Sequence, residues 1–195
     1  MRSILGSSLI EMLFVMGLTL TILAAATVPG RESVHDARAI SAARHLAGEL
    51  RLARMLAATR SRSVGFRFEA IATSYRITRY EDGNGNGIRT ADINRGVDPM
   101  TSVPRDLPSV FPGVDLGLVE GVRAVDTAQI LHQDDDPVRV GSSDILTFTP
   151  SGTSTSGTIY VRGRAARQFA VRVLGPTARV RVLEYRFGSS SWVER

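Results

Sequence analysis

The 195-residue chain contains no cysteine, so it can form no disulfide and offers no thiolate for catalysis or metal binding. It also contains no lysine, which excludes a Schiff-base catalyst. All 24 basic residues are arginines, and the net charge is +5. An arginine-only composition is typical of a GC-rich coding bias, but a basic surface also favours anionic partners such as nucleic acid or lipid headgroups. The fold must be held together by packing alone.

The sequence contains no recognisable catalytic constellation. Its three histidines, His35, His45 and His132, are scattered, and their spacing suggests neither a metal pair nor a base beside a nucleophile. The polar stretch at residues 151–158 lacks the G-x-S-x-G turn that would expose a nucleophilic serine. We therefore predict that the protein is not an enzyme.

One long apolar run stands near the N-terminus. Residues 9–28 are nearly all apolar, and twenty helical residues span about 30 Å, the thickness of a bilayer's hydrocarbon core. The exception is Glu11, whose carboxylate costs several kcal/mol if it is buried without a partner. An acid in such a run is therefore a functional candidate.

The leader Met1 to Gly6, with Arg2 as its one charge, followed by Leu9-Ile10-Glu11, resembles the class III signal of type IV pilins and type II secretion pseudopilins. The resemblance implies that a prepilin peptidase cleaves after Gly6 and methylates the new N-terminus, Ser7. Glu11 would then pair with the N-terminal ammonium of a neighbouring subunit in a filament. The resemblance also places the N-terminus toward the cytoplasm.

An ordinary secretory signal is the alternative interpretation of this segment. Ala24-Ala25-Ala26 follows the apolar run and could be its cleavage site, with Thr27 as the first mature residue. Glu11 argues against this alternative, because a secretory apolar region does not ordinarily carry a carboxylate.

The rest of the chain divides into two parts. After a transmembrane and filament-core helix at residues 7–29, we expect a kink at Pro29 and an amphipathic continuation of the helix over residues 30–62, ending at Ser61 to Ser63. Its apolar stripe follows spacings of three and four residues. The stripe consists of Ala39, Ala43, Leu46, Leu50, Ala53 and Ala57.

Residues 63–195 are predicted to form a β-rich domain, because the hydrophobic period changes from about 3.6 to 2 after the helix. The resemblance to pseudopilins implies that this domain is periplasmic. A turn is expected at residues 69–74 and a long loop at residues 81–108. One long N-terminal helix followed only by strands predicts an α+β fold, with the helix packed on antiparallel sheet. The predicted strands are residues 64–68, 75–80, 119–125, 145–149, 158–161, 169–174 and 179–187.

Several motifs in this order are similar to the GspH/FimT group of minor pseudopilins. The resemblance implies a type IV pilin-like fold and the function of a minor pseudopilin of the type II secretion system. It also implies that the protein crosses the inner membrane once and assembles with other pseudopilins or minor pilins. In the periplasm it would meet the secreted protein substrate. The alternative is a FimT-like minor pilin of a type IV pilus that binds DNA for uptake. The motifs are residues 50–54 (LRLAR), 82–87 (DGNGNG), 146–152 (LTFTPSG), 157–161 (GTIYV) and 175–182 (GPTARVRV).

The loop that begins at Asp82 is a candidate calcium site. Asp82, Asn84 and Asn86 alternate with glycine, the carbonyl of Ile88 follows, and Asp92 comes later, which approximates the spacing of a calcium-binding loop. The closing bidentate glutamate is missing, and only Asp92 could replace it. No other cofactor is expected, and the alternative is that the loop is merely a Gly/Asn turn.

The last predicted hairpin is a candidate DNA-binding surface. A loop at residues 175–178 would place Arg172 opposite Arg181, with Arg179 nearby, on one face of the sheet. Like charges directly opposite destabilise a sheet unless an anion or solvent relieves them. Residues 178–181 resemble the G-R-x-R motif associated with DNA binding in the FimT branch, with Ala178 in place of glycine. The other face would pair Val171 with Val182 and Val173 with Val180.

Overall fold

The computed structural model describes residues 8–127 and 129–195, and for residues 23–35 it describes the backbone only. The fold is α+β with antiparallel sheets, as predicted. Helix α1 runs from Leu9–Arg60 and continues through Pro29. It ends where predicted, because Ser61 adopts a left-handed conformation with φ of 52°. The cleavage site predicted at Gly6 and Ser7 lies outside the described residues.

The predicted apolar stripe of α1 is confirmed. Its second half packs on the sheets through side chains that are at most 2% exposed. Most of them are alanines, and small side chains let the helix approach the strands closely. At Gly163, for example, an added Cβ would lie 2.5 Å from the Cβ of Ala39. The buried residues are Ala39, Ala42, Ala43, Leu46, Ala47, Leu50, Ala53 and Ala57.

Twelve strands and two further short α-helices follow α1 in the described residues. The helices are α2 (Thr90–Asn94) and α3 (Leu107–Val110). The strands are β1 (Val64–Ile71), β2 (Ser74–Glu81), β3 (Arg105–Asp106), β4 (Asp115–Leu116), β5 (Val122–Arg123), β6 (Ile130–Leu131), β7 (Val138–Val140), β8 (Ile145–Phe148), β9 (Gly157–Arg162), β10 (Gln168–Leu174), β11 (Arg179–Arg186) and β12 (Ser191–Glu194).

The strands form two main sheets. Sheet A has the order β3-β2-β1-β8, and sheet B has the order β12-β11-β10-β9-β4, with β7 also paired to β9. Strands β5 and β6 form a separate two-stranded arm over the outer face of sheet B. There the arm covers Tyr160 and Leu183, and the indole of Trp192 donates a 2.8 Å hydrogen bond to the Arg123 carbonyl.

The turn predicted at residues 69–74 is wrong. Strands β1 and β2 continue through most of it and pair up to Ile71 and Ser74, leaving a two-residue connection. Ala72 makes this possible by adopting a left-handed conformation, with φ of 49°. Alanine rarely takes that conformation, so the sequence pattern pointed to a longer turn.

One strand prediction and one loop prediction also need correction. The strand expected at residues 119–125 shrinks to β5, because Gly121 has φ of 79° and interrupts the extended backbone. The loop expected at residues 81–108 is not structureless, since it contains α2, β3 and the start of α3. The sequence also did not predict β4, β6, β7 or β12, all of which have only two to four residues.

Candidate functional site

The first half of α1 carries an unburied apolar surface. Among its described side chains, ten large hydrophobic ones are exposed, from Leu9 to Ile22. Glu11 lies among them and is also exposed, and its carboxylate makes no ion pair within the described chain. Where the structure describes the residues, no helix is long and apolar enough to cross a membrane. Part of the predicted membrane segment, residues 23–29, lies outside the described side chains.

The loop after β2 closes around Asp82, whose side chain is buried. Its Oδ1 accepts hydrogen bonds from the backbone N–H groups of Asn84 at 3.2 Å and Gly85 at 2.7 Å. Its Oδ2 accepts a third, from the Gly87 N–H at 2.7 Å. Gly85 and Gly87 both have positive φ, which turns their N–H groups inward. One carboxylate therefore binds three N–H groups of the loop backbone.

The other end of the loop is fixed in the same manner. Buried Asp98 accepts the N–H groups of Gly83 and Arg89, both at 3.1 Å. Asp92 binds the Asn86 amide at 3.2 Å and the Arg95 guanidinium at 2.6 Å. The Asn86 hydrogen bond, together with Arg95, holds the pKa of the Asp92 carboxyl below its ordinary value.

These contacts bear on the calcium hypothesis. Within residues 8–127 and 129–195, no group of three or more acidic or histidine side chains could hold a metal ion. The carboxylate oxygens of Asp82 and Asp92 accept hydrogen bonds from N–H donors of the chain. Calcium binding at Asp82, Asn84, Asn86, Ile88 and Asp92 stays a prediction, while the geometry gives the carboxylates a structural role.

The arginine hairpin has the predicted register. Arg172 pairs directly with Arg181, and Arg179 follows at the start of β11. Each arginine lies beside a carboxylate of the chain itself. Arg172 contacts Asp126 and donates a 2.7 Å hydrogen bond to Thr158, while Glu194 lies 3.6 Å from Arg179 Nη2 and 3.7 Å from Arg181 Nε. The valines on the other face pair as predicted.

The intramolecular carboxylates relieve the repulsion that the sequence predicted between the arginines. They also lower the net positive charge of this face, which is the quantity that drives binding to a phosphate backbone. DNA binding by Arg172, Arg179 and Arg181 stays a prediction, and this geometry does not favour it.

The two histidines with described side chains lie far apart in the sequence and serve local contacts. The ring of His45 lies 5.6 Å from that of Phe111. His132 Nδ1 lies 2.7 Å from Glu120 Oε1 on the arm, and this hydrogen bond to Glu120 raises the pKa of His132. The side chain of His35 lies outside those described.

The structure forms a groove beside α1 that no sequence pattern predicted. The groove encloses about 370 Å³ between α1 and the chain at residues 101–110. Leu46, Phe66 and Leu107 are its buried residues. It brings together residues more than fifty positions apart, so no local pattern could have indicated it. The residues that line it are His45, Leu46, Glu49, Leu52, Phe66, Ile77, Arg79, Thr101, Ser102, Val103, Arg105, Asp106, Leu107 and Val110.

Comparison with known protein families assigns the chain to one of them. The family model described as "Type II transport protein GspH" matches residues 42–177, which span about the last third of α1, sheet A and strands β4, β7, β9 and β10 of sheet B. The chain belongs to the GspH family. This confirms the family resemblance of the sequence motifs.

Two solved structures are similar to this GspH-family chain, and both are of the minor pseudopilin EpsH from the type II secretion system of Vibrio cholerae. One has 15% sequence identity and a TM-score of 0.47, covering 75% of this chain and 97% of EpsH. The other has 18% identity and a TM-score of 0.39, covering 83% and 94%. Among curated proteins, no sequence matches the chain.

Proposed function

We propose that this chain is a minor pseudopilin of a type II secretion system, a structural subunit of the periplasmic pseudopilus involved in protein secretion. The observation that carries the proposal is the GspH-family match over residues 42–177. The exposed apolar half of α1 supports it, because such a surface needs lipid or neighbouring helices to cover it. The role is structural, and no catalytic step is proposed.

The proposal includes processing and anchoring. Prepilin peptidase cleaves between Gly6 and Ser7 and methylates Ser7, and residues 7–29 hold the protein in the inner membrane until it is extracted into the pseudopilus. The domain at residues 63–195 is then periplasmic, where it meets other pseudopilins and the secreted protein. The support for this step is the resemblance of the leader and of Leu9-Ile10-Glu11 to prepilin signals.

Glu11 is the residue on which assembly depends. Its exposed carboxylate sits in the first turn of α1, among apolar side chains that packing between subunits would bury. A buried carboxylate needs a cationic partner, and the new N-terminal ammonium of a neighbouring subunit supplies one. Removing one partner of a buried ion pair costs about 3–5 kcal/mol, because the other charge is left uncompensated.

The proposal is tested by incorporation into pseudopili in cells that carry the complete secretion system. Glu11→Ala should lower the amount of this chain recovered in sheared pseudopili by at least about tenfold. Thr19→Ala is the matched control, because Thr19 is also an exposed polar residue of α1 and its hydroxyl bonds only to its own helix backbone. Equal recovery of Glu11→Ala and wild type would refute the proposed role of Glu11.

A further inference from the structure

The loop after β2 contains three consecutive steps in which an aspartate or asparagine precedes a glycine, and the sequence has no other such step. In an Asx-Gly step the backbone nitrogen of the glycine can attack the Cγ atom of the preceding side chain, and glycine has no side chain to hinder it. The loop needs these glycines, because Gly85 and Gly87 have φ of 80° and 86°. The three steps are Asp82-Gly83, Asn84-Gly85 and Asn86-Gly87.

At an asparagine this attack leads to deamidation. A bond forms between the glycine nitrogen and Cγ, the bond between Cγ and Nδ2 breaks, and the proton of the glycine nitrogen leaves with Nδ2 as ammonia. Water then opens the resulting succinimide ring at either carbonyl carbon, which gives aspartate or isoaspartate. Asn84 and Asn86 are both exposed, so water has access to both sites.

Buried carboxylates hold the glycine nitrogens of all three steps. Gly85 N–H donates to Asp82 Oδ1 and Gly87 N–H donates to Asp82 Oδ2, both at 2.7 Å. Gly83 N–H donates in the same way to Asp98 Oδ1 at 3.1 Å. The Asp82 side chain is 3% exposed, and charges at such a buried position interact more strongly than in water.

These hydrogen bonds oppose the attack. The glycine nitrogen becomes a nucleophile when it loses its proton, and negative charge then develops on it. A carboxylate at hydrogen-bond distance repels that charge, and it stabilises the protonated nitrogen by accepting the N–H. The hydrogen bond is also lost when the ring forms, because the nitrogen no longer carries a proton.

The side chain of Asn86 is itself part of the structure that fixes the loop. Its Nδ2 donates to Asp92 Oδ2 at 3.2 Å, and Asp92 is 2% exposed. Deamidation would replace this donor by a carboxylate, and two like charges at that distance repel each other. Loss of the amide would therefore break a contact that holds the loop closed.

We propose that Asn84 and Asn86 are deamidation sites whose reaction is suppressed in the folded chain by the Asp82 carboxylate. Asp82 acts by holding the nitrogens of Gly85 and Gly87, so it is a positioning residue and takes no part in the bond changes. The proposal is independent of the pseudopilin function, since it concerns the chemistry of the loop alone.

The proposal is tested by incubating the full chain in detergent at mildly alkaline pH and following Asn84 and Asn86 by peptide mass spectrometry. A synthetic peptide of residues 80–90 gives the rate without the fold. Wild type should deamidate at least about tenfold more slowly than the peptide, and Asp82→Ala at least about tenfold faster than wild type. Asn94, which precedes arginine, is the internal reference and should react equally in every variant.

Leu50→Ala is the matched control for loss of stability. It removes a fully buried side chain far from the loop, so it destabilises the fold and leaves the carboxylate in place. Its deamidation rates at Asn84 and Asn86 should stay within about twofold of wild type. Wild type that reacts as fast as the peptide, or Asp82→Ala that reacts no faster than Leu50→Ala, would overturn the proposal.

Hydrogen exchange of the wild type gives a measurement that needs no variant. Base-catalysed exchange of a backbone amide also begins with removal of its proton. The N–H groups of Gly85 and Gly87 should therefore exchange at least about tenfold more slowly in the folded chain than in the peptide. Exchange at the rate of the peptide would overturn the proposal, even if Asp82→Ala did not fold.

Discussion

The substitution Asp82→Ala separates a structural carboxylate from a calcium ligand. The Asp82 side chain is 3% exposed and accepts three backbone hydrogen bonds, at 3.2, 2.7 and 2.7 Å. A hydrogen bond to a charged group contributes about 1.5–3 kcal/mol when it is well buried. Asn84 and Gly85 are exposed, so their N–H groups can bind water when the carboxylate is removed. We therefore assign about 1 kcal/mol of stability to each of the three hydrogen bonds.

We therefore expect Asp82→Ala to lower the free energy of unfolding by about 3 kcal/mol. For a chain of this size that corresponds to a fall of about 6–12 °C in the thermal midpoint. The assay is thermal and urea unfolding of the full chain in detergent, followed by the fluorescence of Trp192, the single tryptophan. Asn84→Ala is the control, since its exposed side chain accepts one bond, from Asn86 N–H, and its loss should cost less than about 1 kcal/mol.

The effect of calcium on the thermal midpoint tests whether the carboxylates have only this structural role. If the carboxylates act only on N–H groups of the chain, the wild-type midpoint should be the same with EDTA and with millimolar calcium. A wild-type midpoint that rises with calcium, and falls with EDTA to the level of Asp82→Ala, would show that the loop is a metal site. Calorimetric titration of the wild type with calcium would then show heat.

Three further predictions concern the core, the arm and the arginine face. Leu50→Ala should destabilise the chain by about 2–5 kcal/mol in urea unfolding, because Leu50 is fully buried between α1 and the sheets. The hydrogen bond to Glu120 raises the pKa of His132 in the folded state above its unfolded value of about 6.5. The pair should therefore stabilise the fold fully below about pH 6.5, and this stabilisation should be lost as the pH rises through the folded-state pKa. His132→Gln should thus lower the thermal midpoint at about pH 5.5 more than at about pH 8. The chain should bind duplex DNA weakly at most, and Arg179→Ala with Arg181→Ala should weaken any such binding and flatten its salt dependence.

Each of these predictions has a control and a contradicting result. Leu52→Ala removes an exposed leucine from the same helix and should cost far less than Leu50→Ala. An equal shift for His132→Gln at both pH values would contradict the charged pair on the arm. Tight DNA binding by wild type that is lost in the double arginine variant, and kept in Arg186→Ala, would support the DNA alternative.

Local periodicity explains the parts of the fold that the sequence predicted well. The apolar stripe of α1 follows from the helical period, and the packing of Ala43 and Leu50 needs no information beyond it. The register of β10 and β11 follows from a short connection that leaves only one pairing of Val173 with Val180 on the buried face. Both features are set by residues within a few turns or one hairpin.

The missed features are decided by partners distant in the sequence. Strand β7 has three residues, and it is a strand because β9, which lies further along the chain, offers it an edge to pair with. The groove depends on contact between α1 and residues 101–110 through Arg79 and Glu49. Neither arrangement leaves a periodic signal in its own segment.

At the candidate sites, sequence patterns predicted which residues lie together but not what they bind. Alternating oxygens at Asp82, Asn84 and Asn86 suit either a cation or the N–H groups of a tight glycine loop, and spacing alone does not choose between them. The paired arginines were predicted correctly, whereas their counterions Asp126 and Glu194 come from the arm and from β12. Asp126 lies far from the hairpin in sequence, so no local pattern indicated its charge, and Glu194 belongs to a short strand that the sequence did not predict.

The mass of the mature N-terminus, measured on protein isolated from cells with prepilin peptidase, tests most directly whether this chain is processed as a pseudopilin. We expect a chain that begins at Ser7, carries one added methyl group and retains residues 9–28. A chain that begins at Thr27, or one that still carries Met1 to Gly6 in assembled pseudopili, would contradict this expectation.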